Sequence, residues 1–115
     1  HHHPFHDCIE ACNRCGEACE RCATACLGEP DVHMMARCIE LDRSCADFCS
    51  LAAREMARGS EFAAHVCALC AEICDHCGTE CAKHEADHCQ ECAEACRACA
   101  EACRETAHAV SEWRR

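Results

Sequence analysis

Cys8-Ile9-Glu10-Ala11-Cys12-Asn13-Arg14-Cys15-Gly16-Glu17-Ala18-Cys19-Glu20-Arg21-Cys22-Ala23-Thr24-Ala25-Cys26 carries six cysteines at gaps of four, three, four, three and four. Alternating steps of three and four hold residues on one stripe of an α-helix. An ordinary bundle fills that stripe with Leu and Ile. Here thiols occupy it. The pattern returns at Cys67, Cys70, Cys74, Cys77 and Cys81, and again at Cys89, Cys92, Cys96, Cys99 and Cys103. Helices folded on such stripes would enclose a core of sulfur, and sulfur at that density points to metal chemistry.

The breaks between these runs set the helices. Gly28-Glu29-Pro30-Asp31 is a stop followed by a start, Gly59-Ser60 is a second break, and His84-Glu85-Ala86-Asp87 makes a short turn. The expected helices are 7–27, 32–58, 61–83 and 88–113, with Asp7, Asp31 and Ser60 as caps. Short connections between long helices imply an all-α, antiparallel up-down-up-down four-helix bundle. The 115 residues suffice for one domain, 1–115. With three Phe, one Trp and no Tyr, the core must come from Cys and Ala, which predicts a narrow bundle. The first, third and fourth helices resemble one another, either as an internal repeat or through one shared binary pattern.

The second helix differs. Its inward series is Met35, Cys38, Asp42, Cys45, Cys49, Ala52 and Met56, with an acid where a sulfur is expected. Asp42 is then an oxygen donor or hydrogen-bond partner in the core, or a salt-bridge partner of Arg43 or Arg37. Flanking apolar residues Met34, Ile39, Leu41, Phe48 and Leu51 pack either between subunits or deeper within one chain.

Nineteen cysteines in a short chain could signal a disulfide scaffold. The odd count, the helical pattern and the two- or three-residue loops that bridges would close all oppose it. The thiols read as reduced and the protein as cytosolic, with no signal peptide or apolar span evident. A formal net charge of −10 disfavours nucleic acid as a partner.

Residues three or four apart on a helix have Cβ atoms about 5–6 Å apart, so two thiolates can hold one ion. The chain offers six Cys-x-x-Cys and eight Cys-x-x-x-Cys pairs. Soft thiolates select Cu(I), Zn(II) or Fe–S clusters. Zinc and Fe–S centres want four ligands in a closed nest. A continuous stripe is expected to offer overlapping two- and three-sulfur sites instead, which suits multiple Cu(I) ions. Replacing a structural Ala or Leu core by cysteine would only invite oxidation. The alternatives are a zinc or general heavy-metal buffer and, third, an Fe–S electron-transfer protein. An enzyme needs one distinguished site, and no cysteine is distinguished.

In an up-down bundle the termini share one end with the second turn. Phe5, Met56, Ala63, Val110 and Trp113 make that end an apolar plug. The opposite end carries His33, Met35, His84 and His88. Imidazole and thioether are exchangeable ligands for Cu(I), so Met35, His84 and His88 are expected at a mouth that catches ions. His65, His76 and His108 read as surface residues. His1, His2 and His3 are a purification remnant or a native metal-catching tail.

The segments Cys38-Ile39-Glu40-Leu41-Asp42-Arg43-Ser44-Cys45-Ala46-Asp47-Phe48-Cys49 and Cys77-Gly78-Thr79-Glu80-Cys81-Ala82-Lys83-His84, followed by Asp87-His88-Cys89, resemble the bacterial copper storage proteins, cytosolic branch. The resemblance implies a four-helix bundle whose interior thiols (all nineteen cysteines here) hold many Cu(I) ions, assembled as a homotetramer. Some relatives carry a twin-arginine export signal; this sequence shows none. The copper donor and acceptor are not implied.

Overall fold

The computed structural model describes residues 4–113, with side chains for residues 4–110. Four α-helices account for nearly all of it: α1 His6–Cys26, α2 Ala36–Arg58, α3 Ala63–Ala82 and α4 Asp87–Trp113. Consecutive helices pack on each other, and α4 packs back on α1. The connections are short, so neighbours run antiparallel and the ring closes as an up-down-up-down bundle. It is 51 Å long and 21 by 17 Å across. The narrowness follows from the core residues. Cys and Ala are small hydrophobes, and small side chains let helices approach closely.

Two glycines show how close the approach is. A Cβ placed on Gly16 of α1 would lie 3.7 Å from the Cys49 Cβ on α2. A Cβ on Gly78 of α3 would lie 3.1 Å from the Cys96 Cβ on α4. In each case the other neighbour is the carbonyl of the alanine three residues before that cysteine, Ala46 or Ala93. The α1–α2 and α3–α4 hairpins therefore share one packing device.

The helix boundaries agree with expectation to within a few residues, but the caps do not. Phe5, not Asp7, holds the position before α1, and no side chain caps that helix. Phe5 is buried over the end of the core, so packing wins over capping. Asp7 sits in the first turn, where its charge still suits the helix dipole. Asp31 contributes only its carbonyl, which accepts from Met34 N–H at 2.8 Å. Val32–Met35 form a 3-10 turn, and α2 starts at Ala36 rather than at Val32. The tighter winding carries Met35 into the core, where it is buried. Ser60 does not cap α3; its Oγ accepts from Phe62 N–H within the turn. Gly59 does stop α2. At φ 64° and ψ 35° it takes the left-handed conformation, with Gly59 N–H on Met56 O and Ser60 N–H on Glu55 O. The α3–α4 turn has a tie absent from the sequence reading: Gln90 Nε2 donates to Ala82 O and His84 O.

Phe5, Met56, Ala63 and Val110 are all buried at one end, as expected of a plug. The Trp113 side chain and His1–His3 lie outside what the structure describes. Ile39, Leu41 and Phe48 are half-buried and pack against the core, Leu51 is half-buried, and Met34 in the 3-10 turn is 71% exposed. No helix among the described residues is long and apolar enough to cross a membrane.

Candidate metal centre

All nineteen cysteines are buried and none is in a disulfide. Six come from α1, three from α2, and five each from α3 and α4. The stripes predicted from spacing thus converge on one axis. Close same-helix contacts include Cys22–Cys26 and Cys99–Cys103 at 3.9 Å, and Cys45–Cys49, Cys70–Cys74 and Cys77–Cys81 at 4.0 Å. Each spans four residues. Some contacts between helices are closer still: Cys38–Cys81 at 3.4 Å, and Cys12–Cys103, Cys19–Cys92 and Cys45–Cys74 at 3.6 Å.

These contacts gather into groups of four thiols whose sulfurs all lie within 4.8 Å of one another. Examples are Cys12/Cys70/Cys99/Cys103, Cys15/Cys49/Cys74/Cys99, Cys15/Cys19/Cys45/Cys96, Cys19/Cys77/Cys92/Cys96 and Cys22/Cys26/Cys38/Cys89. The structure goes beyond the expected two- and three-sulfur sites. Four-sulfur nests do exist, because helices bring together thiols that no single stripe could. Four of these five are not separate nests, however. Cys15, Cys19, Cys96 and Cys99 each belong to two of the five groups. Taking the roughly 2.3 Å metal–thiolate bond of zinc as a guide, sulfurs around a three-coordinate ion stand about 4.0 Å apart and those around a linear one about 4.6 Å. The observed spacings therefore accept soft ions with only small movements.

The cost of ionising these thiols is visible at the end of the column away from the plug. Burial pushes the Cys89 thiol up to about 11 and raises Cys26 as well. A metal must therefore displace protons from the core when it binds.

Asp42 is fully buried on the thiol column. Its Oδ1 accepts from Cys77 Sγ at 3.2 Å and from Cys81 and Cys92 Sγ at 3.3 Å; Oδ2 faces Cys38 Sγ at 3.8 Å. The salt-bridge alternative is not what the structure holds. Arg37 pairs with Glu80 and Arg43 with Glu20. Burial lifts the Asp42 carboxyl from 3.8 to about 8. Thiols are weak donors. Once metal takes their protons, the acid loses those donors and must itself keep a proton or meet the ion.

At the other end from the plug, His88 Nδ1 lies 3.4 Å from Cys22 Sγ and 3.5 Å from Cys89 Sγ. Its Nε2 pairs with Glu29 Oε1 at 2.8 Å. His84 Nε2 pairs with Glu80 Oε2 at 2.8 Å. Both imidazoles are largely covered, whereas His33 is exposed. A recess of about 460 Å³ opens here, lined by Glu29, Asp31, Met35, Lys83, His84 and Glu85. Glu29 and Glu80 escaped the sequence reading. Glu80 stands four before His84, a detectable helical pair. Glu29 is 59 residues from His88 and left no local signal.

A helical bundle that gives its core to overlapping thiol groups is by construction a reservoir for soft metal ions. The chain belongs to the copper storage protein (Csp) family, which matches it over residues 1–108. Among solved structures it is similar to Cu(I)-bound copper storage protein BsCsp3, at 54% identity and a TM-score of 0.87 over 90% of this chain and 98% of that one. The apo form of Csp3 from Bacillus subtilis gives a TM-score of 0.86 at the same identity and coverage. A cytosolic copper storage protein from Streptomyces lividans, with five coppers, gives 0.88 at 42% identity over 91% of this chain and 92% of that one. The cysteine-rich protein YhjQ of Bacillus subtilis is 56% identical over 64 residues, which is 56% of this chain and 59% of that protein.

Proposed function

We propose that this chain stores Cu(I) in the cytosol, with thiolates from all nineteen cysteines holding several ions and with Asp42, His84, His88 and Met35 as accessory ligands. The observation that carries the reading is the overlap of the four-thiol groups. A shared vertex such as Cys15 serves no single-ion site well, but it suits bridging sulfur between neighbouring soft ions. No thiol is set apart for a reaction, which favours storage over catalysis. The solved relatives are described as Cu(I)-bound or copper-loaded, and the Streptomyces protein as cytosolic. Titrating the reduced apo-protein with Cu(I) against a competing chelator tests the proposal. Saturation at several ions per chain is expected, and an endpoint of one or two would sink it.

One observation favours a second reading. A closed set of four thiolates is also what zinc prefers, and Cys22/Cys26/Cys38/Cys89 shares no member with the other four groups described. Competition between Cu(I) and Zn(II) at matched free-metal levels separates the two. Zinc that held its sites would make the protein a zinc buffer.

We further propose that the chain assembles as a homotetramer through α2, where Leu41, Phe48 and Leu51 stay half-exposed, with Met34 exposed in the turn that precedes the helix. Light scattering behind size exclusion checks this; a monomeric mass would refute it.

A further inference from the structure

The His88 ring is held from both sides by chemically different partners. Nδ1 faces the sulfurs of Cys22 and Cys89, and Nε2 faces Glu29 Oε1 at 2.8 Å. A carboxylate only accepts hydrogen bonds, so the ring nitrogen beside it must be the one that carries the proton. In a neutral imidazole the other nitrogen then keeps its lone pair. That nitrogen is Nδ1, and it already points at two thiols of the group Cys22/Cys26/Cys38/Cys89. Glu29 is not part of any helix. It lies in the connection between α1 and α2, and its own side chain is 29% exposed. Its position is set by the turn, where Glu29 N–H donates to Cys26 O at 3.2 Å. The residue three positions beyond the last thiol of α1 is thus wired to the imidazole at the start of α4.

We propose that Glu29 is a positioning residue for metal capture: by accepting from His88 Nε2–H it selects the tautomer and ring orientation that present a bare Nδ1 to an ion arriving beside Cys22 and Cys89. The inference rests on the storage reading for its purpose, but not for its geometry. Without Glu29, Nδ1–H pointing at Cys22 or Cys89 sulfur becomes equally available to the ring, and in that form the mouth offers no nitrogen lone pair inward. Partners that orient a ligating histidine in this way typically change metal affinity or activity by about 10–100-fold when removed. Glu80 Oε2 faces His84 Nε2 at 2.8 Å, a second carboxylate–imidazole pair at the same end.

The test uses the reduced apo full-length chain and its variants Glu29→Ala and Glu29→Gln. Imidazole ¹⁵N shifts report the His88 tautomer directly, without copper. The wild type should show the Nε2–H form. Glu29→Ala should show a mixture or the Nδ1–H form, and Glu29→Gln, whose amide oxygen still accepts, should resemble the wild type. Stopped-flow uptake of Cu(I) should then slow by roughly tenfold in Glu29→Ala, with the final number of ions unchanged, and recover in Glu29→Gln. Circular dichroism confirms that the helices persist. A wild-type His88 in the Nδ1–H or doubly protonated form would overturn the proposal. So would a Glu29→Ala chain with unaltered tautomer and rate. If the chain failed to bind several Cu(I) ions, the storage reading would fall while the tautomer result stood.

Discussion

Cys77 Sγ lies 3.2 Å from Asp42 Oδ1, so a thiol of α3 donates to a carboxyl of α2 in the centre of the bundle. Cys81 and Cys92 converge on the same oxygen. A buried acid normally needs strong donors or a counter-ion. Here it is solvated by S–H groups that metal loading removes. Asp42→Cys would replace the acid by a further thiol in the column. The Cu(I) endpoint should rise without loss of helix content. An unchanged endpoint would show that the carboxyl position does not communicate with the stored ions.

The same acid should give the empty protein an unusual pH dependence. Its carboxyl titrates near 3.8 when unfolded and is lifted to about 8 when folded. Between those values the native state holds a proton that the unfolded chain has released. Its contribution to stability is therefore complete below about pH 4 and fades as pH rises to about 8, on the order of a few kcal/mol across the window. Melting of the apo-protein at pH 4, 6 and 8 should show this downward slope, and Asp42→Asn should flatten it. An equal slope in both proteins would assign the effect elsewhere.

Removing both mouth imidazoles should separate rate from capacity. The double variant His84→Ala, His88→Ala leaves every core thiol in place. Uptake of Cu(I), or its removal by a chelator, should slow while the final stoichiometry stays nearly constant. Loss of half the capacity would mean that these residues organise the core.

The two helical glycines should respond in opposite directions to the same change. Alanine is favoured over glycine inside a helix by about 1 kcal/mol. At Gly16 the added methyl meets only ordinary contacts at 3.7 and 3.8 Å, so Gly16→Ala should raise the apo melting midpoint. At Gly78 it meets Cys96 Cβ at 3.1 Å, and overpacking of that kind costs about 1–3 kcal/mol. Gly78→Ala should lower the midpoint. It should also disturb binding at the groups containing Cys96. Equal shifts would contradict the close α3–α4 approach.

Loading should stabilise far more than it reshapes. An ion that binds only the native state at 100 times its dissociation constant adds about 2.7 kcal/mol, and several ions add in sequence. Circular dichroism melts with and without Cu(I) should show similar helix content and widely separated midpoints. Coincident midpoints would be incompatible with storage.

Much of this was legible along the chain. The three-four steps of Cys8–Cys26 are a local signal, and local signals survive without knowledge of the partner helix. Asp42 was placed correctly for the same reason, through its distances from Cys38 and Cys45 in register. What depended on the relative height of two helices was not legible. The group Cys15/Cys49/Cys74/Cys99 takes one thiol from each helix, and no spacing within the sequence encodes that meeting. The caps were misread because Asp7 and Asp31 have the right chemistry at the right place, yet burial of Phe5 and Met35 decided how the backbone entered each helix. Glu29 stayed hidden because its role is defined by a residue 59 positions away.

The apolar end formed by Phe5, Met56, Ala63 and Val110 gives the sulfur column a direction in time. With that end covered and four of the five groups linked through Cys15, Cys19, Cys96 and Cys99, ions entering beside His88 would have to pass from one set of sulfurs to the next. The earliest arrivals would then rest deepest and depart last. One uniform set of ligands would thereby sort its contents by age: a quickly exchanging fraction near His88, and a sluggish fraction whose release waits for everything above it to move.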